Sequence, residues 1–170
     1  LFLEKLNKDG LTFRSPESKS EIRFCYTLLS EEKSTTTEIV EEGEEVAEGT
    51  EEAMYRAFLE VIDNCDVVIL SGSKAKGFSS EIFPNIVRES KKRRKLVILD
   101  VRRDDLLNSL EYRPDYIMPN LSEFLVTFFT KDKLSEHLTD KDLLEKAEEK
   151  MIEIYGHYGA VTVLTRGANE

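Results

Sequence analysis

Two short runs constrain this chain more than anything else in it: Val67-Val68-Ile69-Leu70 and Leu96-Val97-Ile98-Leu99, each wholly apolar, the first ending in the polar turn Ser71-Gly72-Ser73 and the second in the carboxylate of Asp100. Such a run reads as a strand buried on both faces, at home in a parallel sheet covered by helices. Between the two, Ile82, Phe83, Ile86 and Val87 recur at helical spacing behind a start at Ser79 or Ser80, with Pro84 where a first turn tolerates it. The theme then repeats. Asp104 or Asp105 caps a short helix carrying Leu106, Leu107 and Leu110, and Pro114 and Pro119 bracket a brief strand at Tyr116-Ile117-Met118. A helix follows from Leu121 to Phe129, another from about Thr139 to Tyr155 ended by Gly156, and then a strand from Ala160 to Leu164. Strands alternating with helices imply right-handed crossovers, so the expected class is α/β, with a mainly parallel sheet in a three-layer α/β/α sandwich.

The first fifty residues follow another pattern. Leu1 to Leu6 reads as the last turns of an amphipathic helix stopped by Gly10. Glu21 to Leu29 alternates as a strand, with Ile22, Phe24 and Tyr26 on one face and Arg23, Cys25 and Thr27 on the other. A polar turn leads to Ser34–Val40, rich in β-branched residues, which pairs antiparallel with the first strand. One face of this hairpin is half polar, so it should stand outside the main core as a flap or an interface. A glutamate-rich link then reaches Thr50, an N-cap for a helix with a stripe of Ala53, Met54, Ala57, Phe58, Val61 and Ile62. The chain starts at Leu1 inside a helical pattern and stops at Glu170 just after a strand, which reads as a central piece of a longer domain.

Composition narrows the function. With 170 residues and 40% apolar content there is one core, and a net charge of −10 argues against nucleic acid or anionic membrane as a partner. Ten glutamates lie between Glu31 and Glu52. The basic run Lys91-Lys92-Arg93-Arg94-Lys95 follows a helix and suits its negative C-terminal end. No apolar run is long enough to span a bilayer and no secretory signal opens the chain. Cys25 and Cys65 have no metal spacing and read as buried free thiols of a cytoplasmic protein; His137 and His157, the two histidines, read as surface residues.

The chemistry should lie beyond the carboxyl ends of the strands. Four ends meet on one edge: Ser71-Gly72-Ser73, Asp100, Asn120 with Glu123, and Thr165-Arg166-Gly167. Hydroxyls, backbone N–H groups and cations suit a phosphorylated ligand with a divalent metal. A plain strand-to-helix turn is the alternative for Ser71–Ser73. Asn120 and Glu123 have two readings, a helix capping box or a carboxylate ordering water around Mg²⁺. Asp100 as the phosphoacceptor of a receiver domain lacks the acidic pair that reading needs. Neither GxxxxGK[ST] nor GxGxxG occurs.

Taken together, Thr36-Thr37-Glu38-Ile39, Asp66 to Gly77, Leu96 to Asp100, Pro119-Asn120-Leu121-Ser122-Glu123 and Val163 to Ala168 resemble the PfkB (ribokinase-like) family of sugar kinases, in its 1-phosphofructokinase and tagatose-6-phosphate kinase branch. The resemblance implies a substrate-binding set of Arg23, Ser71, Gly72 and Ser73, with Arg23 and Ser73 on the sugar phosphate. It implies that Asn120 and Glu123 are the NxxE motif tuning Mg²⁺ and phosphate, and that Thr165 and Gly167 line the ATP site. Residues 21–41 would form the β-lid, which covers the sugar and carries the contact of a homodimer. Lys74-Ala75 stands where this branch has leucine-proline, Met118 where it has a lysine, and Arg166 where it has an uncharged residue. The family's sugar-binding start would precede Leu1. Its glycine-rich anion hole and base aspartate are expected beyond Glu170, so no catalytic residue is assigned within residues 1–170 and this piece alone would be inactive. The intact protein would phosphorylate fructose 1-phosphate or tagatose 6-phosphate; an unphosphorylated sugar or nucleoside as acceptor, or a non-catalytic kinase-like binding protein, are the alternatives.

Overall fold

A computed structural model describes residues 2–18, 23–41, 43–129 and 139–166. Glu21, Ile22, His137, Gly167 and Glu170 therefore lie outside the described residues. The chain divides into two units, residues 1–57 with 74–78, and residues 58–73 with 79–170.

The first unit holds α1 (Phe2–Lys8) and a hairpin of β1 (Cys25–Ser30) and β2 (Thr35–Val40), antiparallel from Cys25↔Val40 to Ser30↔Thr35. Gly10 follows α1 in the left-handed conformation at φ +70°, as a helix stop requires. Phe24 and Tyr26 stack with ring centroids 6.4 Å apart, which places them on one face as their alternation predicts. Every strand residue of the hairpin except Ser30 is exposed. Cys25 is exposed too, against the expectation of a buried thiol. Alternation predicts burial only where one face meets a core, and among the described residues the strand side chains of this hairpin are exposed on both faces. The helix α2 (Thr50–Val61) carries residues of both units and buries none fully; burial begins at Ile62 in the 3₁₀ turn that follows.

The second unit is built on a parallel sheet of β3 (Val67–Ser71), β4 (Leu96–Asp100), β5 (Tyr116–Ile117) and β6 (Val161–Thr162), ordered β3-β4-β5-β6. This spatial order is the sequence order. Right-handed crossovers that always step the same way place every connecting helix on the same face. Accordingly α3 (Ile82–Lys92), α4 (Arg103–Leu110), α5 (Leu121–Phe128) and α6 (Asp140–Tyr158) share one core with the sheet. Val87, Val97, Leu99, Leu106, Ile117 and Phe124 are its fully buried centre.

Among the described residues of this unit, the opposite face of the sheet is left exposed. Val67, Ile69, Leu96, Tyr116, Met118, Val161 and Val163 alternate with the buried residues and are 37–62% exposed. The expectation that β3 and β4 are buried on both faces is corrected here. The described residues supply the sheet and one helical layer, and β3 is an edge strand.

The basic run behaves as a helix end. Lys91 Nζ reaches both carboxylate oxygens of Asp115 at 2.7 Å, Arg93 pairs with Glu89 and Asp63, and Arg94 adopts φ +57° as the chain leaves α3. Asp115 Oδ2 also accepts the Val97 N–H at 2.7 Å, tying α3 and β4 to the start of β5.

Several boundaries differ from the sequence reading: α3 begins at Ile82 rather than at Ser79 or Ser80, β5 ends at Ile117 rather than Met118, and β6 is Val161–Thr162 rather than Ala160 to Leu164. α4 begins at Arg103, before Asp104 and Asp105, which sit in its first turn facing the positive end of the dipole. α6 runs through Gly156 to Tyr158 and ends at Gly159, which is left-handed at φ +75°. The half-buried Tyr158 packs against the core and carries the helix past the first glycine. Gly156 thus sits inside a helix with open space where a Cβ would stand. Gly156→Ala should stabilise the fold by about 0.5–1 kcal/mol in urea unfolding, whereas Gly159→Ala should destabilise it.

Candidate functional site

The parallel register brings the carboxyl ends of all four strands to one edge of the second unit. Ser71 pairs with Asp100 in the ladder, and its hydroxyl donates to Asp100 Oδ2 at 2.8 Å. The next residue, Gly72, turns at φ +88° and donates its N–H to the Asp100 carbonyl at 3.0 Å. No atom stands within 4 Å of where a Cβ on Gly72 would be, so glycine is required there by φ and not by crowding. The Ser71–Ser73 turn was expected to present free N–H groups to an anion. The N–H of Gly72 is instead taken by the neighbouring strand. Ser73 is exposed just beyond it.

At the other end of the row, Asn120 bridges to Thr165 in parallel register, and the Leu121 N–H donates to the Thr165 carbonyl at 3.0 Å. Asn120 caps α5. Its Oδ1 accepts the Glu123 N–H at 2.9 Å, and Glu123 Oε2 accepts the Asn120 N–H at 3.2 Å. The capping-box reading of these two residues is therefore present as structure.

Between the two ends lies a contact that the sequence did not announce. Arg102 Nη1 stands 3.4 Å from Glu123 Oε1, its side chain 57% exposed. The loop carrying it is anchored on both sides. Val101 is buried, and Arg103, held at φ +54°, donates its N–H to Thr127 Oγ1 at 3.0 Å. Thr127 in turn donates to the Glu123 carbonyl at 2.6 Å, so α5 supplies the first-turn partner that α4 lacks from a cap of its own. Only the doublet Arg102-Arg103, one residue beyond a strand, could have signalled this, and in the sequence it is masked by Asp104-Asp105.

A cavity of about 690 Å³ opens beside the row, lined by Asn120, Leu121, Leu125, Leu143, Thr165 and Arg166 among others. Asp140, in the first turn of α6, also lines it. A second box fixes that turn: the Thr139 hydroxyl and backbone N–H both donate to Asp142 Oδ2, at 2.7 and 2.8 Å. These two bonds hold the Asp142 carboxyl below its ordinary 3.8, the hydroxyl contributing most. A lowered folded-state pKa gives stability that is complete above the unfolded value and lost as pH falls through the folded one. The Thr139 and Asp142 amides should therefore lose exchange protection only below about pH 3.8; protection that decays near neutrality would contradict the box.

Of the residues singled out in the sequence, the edge gathers Ser71, Gly72, Ser73, Asp100, Asn120, Glu123 and Thr165. Arg23 is not among them; it belongs to the first unit, exposed just ahead of β1. Met118 stands on the open face of the sheet. Gly167, expected at the nucleotide, and Glu170, beyond which the base aspartate is expected, both lie outside the described residues, so the edge is traced only as far as Arg166. As a centre with protein ligands to Mg²⁺ the set does not fit. Both oxygens of Glu123 have protein partners, and no group of three or more His, Cys, Asp or Glu able to hold a metal occurs among the described residues. Contact with a metal through water remains compatible with the half-buried Glu123 carboxylate. No helix among the described residues is long and apolar enough to cross a membrane.

No known family profile matches the sequence. Solved structures do match the fold. Phosphofructokinase-2 from Escherichia coli in its tetrameric inhibited form aligns with a TM-score of 0.73 at 19% identity, over 97% of this chain and 52% of that one. The same protein in complex with fructose-6-phosphate gives 0.74 at 19% identity, with the same coverage. A possible 1-phosphofructokinase from Thermotoga maritima gives 0.66 at 21% identity, over 86% of this chain and 44% of that one. The chain thus spans about half the length of the structures it matches. With its parallel sheet and antiparallel hairpin, it carries the ribokinase-like α/β fold of these phosphofructokinases, as the resemblance to the PfkB family implied.

Proposed function

We propose that the protein is an ATP-dependent carbohydrate kinase acting on a sugar phosphate of the fructose 1-phosphate or tagatose 6-phosphate type. The observation that carries this reading is the single strand-end row from Ser71 and Asp100 to Asn120, Glu123 and Thr165, in a fold matched over 97% of the chain by phosphofructokinase-2. Phosphoryl transfer demands little covalent chemistry from a protein. It demands that donor and acceptor be held in line and that developing charge be met. In this reading Ser73 and Arg23 take the sugar phosphate, while Thr165 and Gly167 border the nucleotide. Asn120 and Glu123 order water beside the phosphate chain. Mg²⁺ carried by the nucleotide would supply charge neutralisation there, meeting Glu123 through water. The hairpin serves as a lid that excludes competing water, and its exposed apolar residues as the contact of a homodimer. The general base is an aspartate placed beyond Glu170, so the 170-residue chain alone is expected to be inactive.

The test is ATP consumption by the whole protein with fructose 1-phosphate, tagatose 6-phosphate and the corresponding free sugars. Turnover of phosphorylated acceptors alone is expected, with Ser73→Ala raising KM for the sugar phosphate more than it lowers kcat. Turnover of free sugars only would overturn the roles of Ser73 and Arg23. Nucleotide binding without turnover of any acceptor would favour a non-catalytic binding protein.

A further inference from the structure

The cavity beside the strand ends shares Ser122 in its wall with a second cavity. The larger, of about 690 Å³, has apolar walls from Leu121, Leu125 and Leu143 and one charge of each sign, Asp140 and Arg166. The smaller, of about 110 Å³, is lined by Arg102, Arg103, Ser122, Glu123 and Val126 and carries a net positive charge. Their linings suit different parts of one ligand, a flat apolar body for the larger and an anionic tail for the smaller. The N–H of Ser122, on the residue both share, has no acceptor among the described residues, whereas those of Leu121, Glu123 and Phe124 are bonded. It leaves a helix-terminus donor for the same tail.

Glu123 by itself would repel a phosphate chain. Arg102 cancels that charge, and it does so from an exposed side chain on an anchored loop. Glu123 does not depend on Arg102 for its place, because Oε2 is held by the Asn120 N–H. Arg102 can therefore leave Glu123 without undoing the cap. We infer that Arg102 is the specificity-determining contact for the terminal phosphate of a bound nucleotide, exchanging Glu123 for the phosphate on binding. A guanidinium meets phosphate with two parallel N–H donors, a geometry lysine cannot reproduce. The inference rests on the nucleotide site proposed above.

Calorimetric titration of the protein with ATP and with AMP tests it. Arg102→Gln should weaken ATP about tenfold, the order expected for one charge-assisted contact, and leave AMP within about twofold. Arg102→Lys should fall between the two, and the salt dependence of ATP binding should flatten in Arg102→Gln. If Arg102 only supports α5, both nucleotides weaken equally, and that result overturns the inference. AMP and ATP binding both unchanged in Arg102→Gln overturns it as well while leaving the nucleotide site standing. No binding of either nucleotide to the parent protein overturns the site and the inference together.

Discussion

Phe124→Ala is expected to cost about 3–5 kcal/mol in stability, the range for emptying a large aromatic site in a core. Phe124 is fully buried and lies against Phe128 with ring centroids 4.7 Å apart. It is also the residue directly after Glu123, on the first turn of the helix that Asn120 caps. Its ring anchors that turn to the core, so its loss releases the helix end on which Asn120 and Glu123 depend. Since domains of this size are stable by only about 5–15 kcal/mol, the variant should be close to unfolding at ambient temperature. Urea unfolding reads the cost, and amide exchange at Glu123 and Phe124 reads the release. A cost below about 1 kcal/mol would mean that the core does not hold α5.

The second large effect concerns the open sheet face. Seven apolar side chains in adjacent register, from Val67 and Ile69 on β3 to Val161 and Val163 at β6, make one continuous exposed surface. Monomeric proteins rarely leave such a patch uncovered, and it reaches the outer edge of β3, which has no strand partner among the described residues. The 170-residue chain should therefore associate at micromolar concentration when prepared alone. Ile69→Lys with Val161→Lys should push association to at least about tenfold higher concentration, because a charge on each outer strand opposes stacking of two faces. Sedimentation velocity decides the matter. A parent chain that stays monomeric up to about 100 μM would show that the face is tolerated in water.

How much of this was legible beforehand depends on what each inference rested on. The order of strands and helices followed from period alone, because the apolar runs at Val67–Leu70 and Leu96–Leu99 and the helical stripes between them leave little choice. The pairing of the strand ends followed too, since parallel strands must finish on one edge. Burial did not follow. An apolar run reports that a strand tolerates two covered faces, not that both are covered, and Ile69 at 62% exposure shows the difference. Cys25 failed for the same reason on a hairpin with no core to face. The stop at Gly159 was missed because a glycine ends a helix only where packing allows, and Tyr158 draws the chain on for another turn. Asn120 with Glu123 was readable as a box from residue types at a fixed spacing. Arg102 was not, because its partner lies twenty-one residues away on another helix and no local pattern marks such a pair.

The strand order also governs how the molecule comes into being. With the order β3-β4-β5-β6, each strand finds its neighbour one crossover back along the chain, and none has to wait for a distant segment. Loop closure is then short from β3 to β4 and from β4 to β5, and longest from Ile117 of β5 to Val161 of β6, so the last strand is expected to join slowest. The expected order of pairing is β3 with β4 first, then Asp115 on Lys91 and Val97, then β5. A ribosome-bound chain stopped shortly after Asp115 should show partial protection from proteolysis between Val67 and Asp100; cleavage there as fast as in the unfolded chain would overturn an assembly that follows the order of translation.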